Sequence, residues 1–425
     1  MRVGIVGAGI SGLALTHFLA ENDVDVITFE ADAEPGGVIR SDKVDGRVLE
    51  YGPQRIRLSK PVDDLISSLN LESQLLQGDP NRPLYVYVDG SLRIVPRSLL
   101  SFVRSDILSL RGKLRVLVEP LTKPISAGEL AGDAFQRKFG TEAYHNIIEP
   151  LFGGIYASNP ARIPVEYALP SLTGQSRKHG SLFLRARRAF GRNRQLPPPV
   201  TFRDGLQTLP MALYNKHRHY VHLETPIDSI NLHTEGSAVD LISGRRTTTV
   251  DHVVITVPAR PAASILEATT GAEVAGLNRL SYNSIVLVHL YADIDREGFG
   301  YQTARTEELM TRGVTWNAGL FDRDGVFTAF LGGVGADEIL EWPADEIGAV
   351  AAREFEQIIG IEPVVLNVTK LPDVIPAYDT SWRHLDHIEL PPCLSLFTNY
   401  TGRIGVPSRI RLAKQLADEL VSNPG

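Results

Sequence analysis

Apolar and polar positions repeat with two different periods along this chain, and each change of period marks a new element. VGIVG, ending at Gly7, is an unbroken apolar run, the pattern of a short strand covered on both faces. Ser11 to Ala20 then takes helical spacing and reads as an amphipathic helix, and VDVITFE makes a second strand ending in Glu30. Residues 60–190 read mostly helical. PVDDLISSLNLESQLL keeps a helical period, with Pro61 suited to a first turn. LYVYVDGSLRIVP instead alternates about Asp89-Gly90, the signal of a type I′ hairpin. ELAGDAFQRKFGTEAYHNIIEPLFGGIY predicts a helix up to Pro150 and a break at Gly153-Gly154. After three prolines at 197–199, TFRDGLQTLPMALYNK restarts a helix, and YVHLETPIDSINLHTEG, AVDLISG and TTTVDHVVITVP read as strands. Val253–Val257 is continuous and apolar, as a parallel-sheet strand should be. RLSYNSIVLVHLYA predicts a strand of a second sheet. GVFTAFLGGVG and VVLNVTKLP add further strands, with the helix DEIGAVAAREFEQIIG between them. The last stretch, LSLFTNYTGRIGVPSRIRLAKQLADEL, reads as strand, glycine loop and a helix from about Ser408.

The first strand, helix and second strand carry a specific chemistry. Gly7, Gly9 and Gly12 have the spacing G-x-G-x-x-G between strand and helix. The first makes the tight turn, the second lets backbone approach a pyrophosphate, and the third lets helix and strand pack closely. The helix N-terminus faces the diphosphate charge. Glu30, 18 residues past Gly12, is placed to accept ribose hydroxyls, and an acid there repels a 2′-phosphate. A dinucleotide is therefore expected, FAD or NAD rather than NADP. EADAEPGGVIRSDKVDGRVLEYGPQRI decides between the two. Gly36-Gly37 and Arg40 have no role in a bare NAD fold, but suit the flavin side of a pyrophosphate, and Tyr51-Gly52-Pro53 offers another close backbone approach. Gly402 and Gly405 precede the last helix, whose first amides suit flavin oxygens; that return of the chain would make the cofactor domain discontinuous.

Composition narrows the picture. At 425 residues, with 43% hydrophobic and 22% charged positions, the chain should fold as two interleaved domains. A net charge of −7 argues against nucleic-acid binding. The single cysteine, Cys393, excludes an internal disulfide and sits in an apolar run that reads as core. No apolar stretch reaches membrane-span length and no signal peptide is apparent, so a cytoplasmic location is expected. Basic, apolar-interleaved stretches at 98–123 and 177–194 suit either an anionic membrane surface or a solvated helical face. His17, His145, His179 and His217 lack H-x3-H spacing, and His384 and His387 lack a matched ligand set, so no metal is assigned. No G-x-S-x-G elbow occurs.

The chain resembles the oxygen-dependent protoporphyrinogen oxidase and coproporphyrinogen III oxidase family of the flavin amine-oxidase superfamily. The resemblance runs along most of the chain: GAGISGLA (Gly7–Ala14), EADAEPGG (Glu30–Gly37), LEYGP (Leu49–Pro53), NRPLYVYVDGSLRIVP (Asn81–Pro96), IIEPLFGGIYASNP (Ile147–Pro160), LPSL with KHGSLF, TFRDGLQTLP (Thr201–Pro210), YNSIVLVHL (Tyr282–Leu290), EGFGY (Glu297–Tyr301) and KLPDVIPAY (Lys370–Tyr378). GLQTLP, GGIYA and GFGY together are its specific part. It implies an α/β and α+β fold: a Rossmann-like FAD-binding domain of the amine-oxidase/glutathione-reductase type, a mixed-sheet substrate domain and a helical insertion. The cofactor domain would comprise residues 1–60, 200–265 and 376–425. Residues 61–95 would be a substrate-binding segment, 96–190 a helical domain that could face a membrane, and 266–375 the substrate-binding domain.

The resemblance further implies oxidation of a porphyrinogen to a porphyrin in heme biosynthesis, with dioxygen as acceptor and hydrogen peroxide released. Chemistry would reside at flavin N5, with no side chain assigned a catalytic role. Arg82 aligns with an arginine that binds a substrate propionate, and Gly154 with a glycine lining the substrate ring. Expected cofactor contacts are Gly7, Gly9, Ile10, Ser11, Gly12, Glu30, Gly36, Gly37, Arg40, Gly52, Pro53, Pro258, Gly402, Ile404, Gly405 and Val406. Peripheral membrane contact, transient contact with the next heme-pathway enzyme, and a monomeric or homodimeric state complete the expectations. The chain departs from the family where Asn399, Thr401 and Arg403 interrupt the terminal glycine loop, and where DTSWRH follows KLPDVIPAY in place of a glycine-histidine pair. The related alternatives are an amine oxidase, a carotenoid-type desaturase, or a flavin or tetrapyrrole binder without catalysis.

Overall fold

The computed structural model describes residues 1–169, 172, 181–182, 196–233, 238–270, 274–321, 323, 325–333, 337–402 and 404–422. Nearly all of the basic stretch 177–194, most of KHGSLF, and Arg403 lie outside the described residues.

β1 (Arg2–Val6), α1 (Ile10–Ala20) and β2 (Asp25–Phe29) form the expected opening unit. β1 lies at the centre of a five-stranded parallel sheet. β2 and Val221–His222 flank it on one side, and His252–Ile255 and Leu394–Leu396 on the other. Residues nearly 400 positions apart thus share one sheet, and the last strand joins it beside His252–Ile255. The strands run parallel, and the central positions of β1, β2 and His252–Ile255 are mostly buried and mostly apolar.

α1 is not amphipathic. Nine of its eleven residues are buried, including Ser11, Thr16 and His17. The C-terminal helix Val406–Ser422 and the helix Thr208–His217 pack against it, so it has almost no solvent face. Its polar residues are satisfied locally: Thr16 Oγ1 bonds the Gly12 carbonyl at 2.8 Å and Thr28 Oγ1 at 2.7 Å. His17 Nδ1 meets His217 Nε2 at 2.9 Å.

A second, seven-stranded mixed sheet runs in the order Val364–Pro376, Tyr282–Tyr291, Val326–Gly332, Thr311–Trp316, Gly300–Thr303, Leu84–Val88, Ser91–Ile94. The hairpin between the last two turns at Asp89 and Gly90, both at positive φ (50° and 69°), as the type I′ signal requires. The helix Ala344–Ile359 covers one face of this sheet.

Helices dominate the segment between the Ser91–Ile94 strand and residue 169. Helix does not stop at Gly153-Gly154. A π-helical turn at Tyr144–Ile148 leads into Glu149–Tyr156, which runs through both glycines and ends at Ala157 in the left-handed region (φ 48°). Pro150 sits just past the π-helical turn, at the junction of the two helical segments, where its missing N–H removes one bond from the ladder. TFRDGLQTLP also differs from the expected helix restart. Pro199–Phe202 is a strand, and helix begins only at Thr208. Cys393 is buried, as its apolar setting suggested.

Candidate functional site

The opening glycine turn is built from backbone. Gly7 has φ +104°, its N–H donates to the Phe29 carbonyl at 2.7 Å, and a Cβ there would lie 2.8 Å from Thr256 Oγ1. A Cβ on Gly12 would overlap the Gly7 carbonyl oxygen, so helix and turn touch without a side chain between them. Gly9 is the opposite case. It caps α1 with no side-chain hydrogen bond, and nothing lies within 4 Å of where its Cβ would be. That opening sits where the unpaired first-turn amides of α1, including those of Ile10 and Ser11, face outward. The donor set is that of an anion site, and the space beside Gly9 fits a pyrophosphate.

The second glycine pair folds onto the first. Gly9 and Gly36 form a parallel bridge, Gly36 N–H donates to the Ala8 carbonyl at 2.8 Å, and Gly37 approaches the Gly9 Cα. Glu30 closes the end of β2. Its carboxylate accepts from Ala8 N–H at 2.6 Å and Asp32 N–H at 3.1 Å, which holds it at the glycine turn. Arg40 is half-exposed and bridges Gly37 and Asp32, with Nε 3.2 Å from the Gly37 carbonyl and Nη2 3.2 Å from Asp32 Oδ2.

Three further stretches carry the remaining expected contacts. A Cβ on Gly52 would overlap the Val38 carbonyl, and Pro53 beside it is half-buried. Pro258 is exposed at the head of the helix Ala259–Thr270, and its carbonyl accepts the Ala262 N–H at 3.0 Å. Gly405 caps the C-terminal helix, its carbonyl accepting from Ser408 and Arg409 N–H at 2.8 and 3.1 Å. Ile404 is half-buried against the core and Val406 is buried. Arg409 lies beneath Gly402. It donates to the Thr398 carbonyl and stacks 4.7 Å above the Phe397 ring, and burial pulls its pKa down to about 10. Tyr378 also holds this loop, donating to the Asn399 carbonyl at 2.8 Å and the Gly402 carbonyl at 3.1 Å. Tyr400 is buried, with its carbonyl accepting from Trp382 Nε1.

A polar hub ties the segments around Glu50 and Thr201 to the seven-stranded sheet, and the glycine patterns do not reveal it. Glu50 is buried and accepts from Ser41, Thr201, the Leu206 N–H and Arg323. The Glu50–Arg323 pair is 2.9 Å long, with both side chains almost wholly buried. Gln54 bonds the Glu50 and Gly52 carbonyls through Nε2, while its Oε1 accepts from Asn317 and Thr328 of the seven-stranded sheet region. His289 of that sheet contacts the Glu50 carbonyl at 3.0 Å and the Tyr51 ring edge. Burial pushes the His289 pKa down to about 4, so the ring is neutral and can donate that bond at physiological pH. The Tyr51-Gly52-Pro53 segment is therefore clamped against the seven-stranded sheet by Glu50, Gln54 and His289. In the sequence only its glycine and proline stand out. The acid and the amide beside them become informative only when their distant partners are known.

On the other side of the hub, the Arg82 guanidinium ion-pairs with Glu297 and is about one-third exposed. Gly154 faces the sheet. A Cβ there would lie 2.5 Å from Gln302 Oε1, and the same amide lies over Gly313. The helix bearing Gly154 is tied back to the C-terminal part of the chain. The Asn283 amide donates to Ser158, Ser158 donates to the Ala377 carbonyl, and the Tyr156 and Tyr378 rings meet edge to face at 5.6 Å.

A parallel-sheet dinucleotide fold, joined through a buried polar hub to a mixed sheet, defines a two-domain oxidoreductase of the flavoprotein type. The chain belongs to the family of flavin containing amine oxidoreductases, whose profile matches residues 10–403. It is 25% identical to the chloroplastic protoporphyrinogen oxidase of Nicotiana tabacum, over 98% of this chain and 84% of that protein. It is also 25% identical to the coproporphyrinogen III oxidase of Staphylococcus aureus, over 99% of each. Wild-type putrescine oxidase bound to putrescine superposes with a TM-score of 0.74 at 16% identity, over the whole of both chains, and so shares the fold. The expected cofactor architecture and mixed-sheet domain are therefore present, and the cofactor of the family is a flavin.

Proposed function

We propose that this chain is an FAD-dependent oxidase that converts a porphyrinogen to a porphyrin, with dioxygen as acceptor, as a step of heme biosynthesis. The observation that carries the reading is similarity over nearly the full length to both protoporphyrinogen and coproporphyrinogen III oxidases. FAD suits the groove around Gly7, Gly9, Ile10, Ser11, Gly12, Glu30, Gly36 and Gly37. Arg40, Gly52, Pro53, Pro258, Gly402, Ile404, Gly405 and Val406 serve its remaining contacts. When bound, the flavin supplies hydride acceptance and reoxidation by dioxygen.

The chain's own residues do the positioning. The first amides of α1 hold diphosphate charge, and Glu30 accepts ribose hydroxyls. The hub of Glu50, Gln54 and His289 keeps the Tyr51–Pro53 backbone fixed against the sheet. Gly154 lets its helix close on Gln302 and presents backbone to the macrocycle, and Arg82 receives a propionate, exchanging Glu297 for the substrate carboxylate. A porphyrinogen bridge loses hydride with help from its flanking pyrrole nitrogens, so no nucleophilic side chain is required. Purified protein incubated in air with each porphyrinogen should produce porphyrin fluorescence above the autoxidation control, with peroxide. A flavin-loaded sample that yields neither product would end this reading.

Contact with an anionic membrane surface accompanies the proposal. Leu110, Leu114 and Leu117 form one stripe on the helix Leu110–Leu117, Leu121 ends the 3-10 turn that follows, and all four are more than half exposed. Leu99, Leu100 and Val103 are exposed nearby, with Arg104, Arg111 and Lys123 exposed among them. An apolar stripe with a basic margin suits the headgroup boundary of an anionic bilayer. Among the described residues, no helix is long and apolar enough to cross a membrane.

A further inference from the structure

Phe299 stands at the head of the Gly300–Thr303 strand and is 4% exposed. Three arginines close on its ring. The guanidinium carbons of Arg55, Arg57 and Arg97 lie 5.2, 5.1 and 5.3 Å from its centroid. Among the described residues, no carboxylate forms an ion pair with any of the three. Arg57 donates to the Pro197 carbonyl at 2.9 Å and Arg97 to the Pro80 carbonyl at 2.7 Å. Arg55 Nη1 is sealed from solvent and has no partner.

The nearest acids do not neutralise the cluster. Glu297 is held by Arg82. Asp79 accepts the Asn81 N–H and acts on Arg97 only through space. Burial lowers the pKa of all three arginines, and the like charge of Arg57 adds to the effect at Arg55, which falls to about 10. A phenyl ring attracts cations, but it does not replace a carboxylate for three guanidinium groups that also repel one another. Uncompensated charge of this kind, half-buried at Arg55 and Arg57 and open to solvent at Arg97, is kept where a ligand supplies the opposite sign.

The position of the cluster connects it to the substrate side. Phe299 N–H donates to the Pro83 carbonyl at 2.8 Å, which puts the cluster beside Arg82. The strand that starts at Gly300 pairs in parallel with Leu84–Val88. Gln302, the residue in contact with Gly154, lies three positions along from Phe299, about 10 Å at strand rise. That span suits a macrocycle whose carboxylate arms reach beyond its ring.

We propose that Arg55, Arg57 and Arg97 form a carboxylate-binding subsite, beside Arg82, that takes propionate arms of the tetrapyrrole and favours a tetracarboxylate porphyrinogen over a dicarboxylate one. The proposal rests on the porphyrinogen reading above. Planar guanidinium forks pair with carboxylates bidentately, and each further arm engaged adds a charge-assisted contact that a dicarboxylate substrate cannot make.

The test uses the full, FAD-loaded chain. Steady-state kcat/KM is measured on coproporphyrinogen III and protoporphyrinogen IX for wild type and for the R57Q/R97Q double variant. The expected result is a fall of about ten-fold or more on the tetracarboxylate and less than about three-fold on the dicarboxylate, with flavin absorbance retained. Arg55→Gln should weaken binding of coproporphyrin III, followed by fluorescence quenching, while leaving Tm unchanged or raised, because it removes an unpaired buried charge. A merely structural Arg55 would lower Tm instead. Should the double variant lose its flavin, the single variant Arg97→Gln decides by the same ratio.

Equal losses on both substrates, or no loss on either, overturn the subsite. Wild type that binds coproporphyrin III no better than its tetramethyl ester also overturns it. Arginine-dependent binding of coproporphyrin III without oxidation of either porphyrinogen would keep the subsite and reject the oxidase reading, so the two failures are distinguishable.

Discussion

The two halves of this molecule build their surfaces from different materials. Around α1 the groove is made by main chain: Gly7, Gly9, Gly12, Gly36 and Gly37 bring backbone against backbone, and side chains are excluded. Around Phe299 and Arg82 the surface is made by long charged side chains from separate segments. The backbone groove tolerates few added atoms at its contacts: a Cβ on Gly12 or Gly36 would meet a carbonyl oxygen and one on Gly7 the Thr256 and Val257 side chains, while Gly9 alone faces open space. A side-chain surface tolerates substitution structurally and changes in affinity. The first half should therefore fail in folding or cofactor retention, and the second in substrate selection.

The largest expected effect tests the backbone groove. Gly12→Val puts branched carbon into the Gly7 carbonyl and should abolish flavin retention, read as loss of visible absorbance in the purified protein. A variant that keeps its full flavin content would refute the claim that this contact shapes the groove. Next comes the hub between the halves. Arg323→Met leaves Glu50 buried without its cation and should cost about 3–5 kcal/mol in denaturant unfolding. Adding Glu50→Gln should recover part of that loss, since the uncompensated charge is then gone.

Acid should destabilise both halves through buried histidines. His17 in the groove half and His289 in the sheet half are each held down at about 4 by burial, against about 6.5 in an unfolded chain. Each must stay neutral to remain buried. Stability is therefore complete above pH 6.5 and falls as the pH drops towards 4, where the unfolded chain binds the extra proton. The loss is about 3 kcal/mol per histidine at the low end of the window. Replacing His17 or His289 with Gln, one at a time, and following Tm between pH 7 and 5 shows which half sets the acid limit. An unchanged pH slope in both variants would refute this assignment.

The smallest effect belongs to the side-chain surface. Arg82→Ala should raise KM about ten-fold with kcat and flavin content nearly unchanged, whereas Glu297→Gln should leave KM the same or lower it. Unaltered kinetics in Arg82→Ala would remove that residue from the substrate side.

The opening unit was legible because its requirements are local. Strand, turn and helix lie within thirty residues, and glycine spacing records the positive φ of Gly7, the open approach at Gly9 and the close packing at Gly12. The Asp89-Gly90 hairpin was legible for the same reason: a two-residue turn dictates its own φ values. The errors came where distant chain changes a local preference. α1 looked amphipathic until Val406–Ser422 and Thr208–His217 covered its polar positions. Gly153-Gly154 looked like a break, but the helix continues because Gly154 lets it lie against Gln302. The hub left little trace, since Glu50 and Arg323 are 273 positions apart and each is an ordinary charged residue alone.

The order of residues by itself determined a dinucleotide fold, a second sheet and an anion-ready helix start, because hydrophobic period and glycine spacing encode short-range geometry. Tertiary structure alone decided which charges are paired and buried, which arginines gather without acids, and which apolar stripe faces outward. Those outcomes depend on which segments meet across hundreds of positions, and Coulomb energy and desolvation are properties of that meeting rather than of either segment.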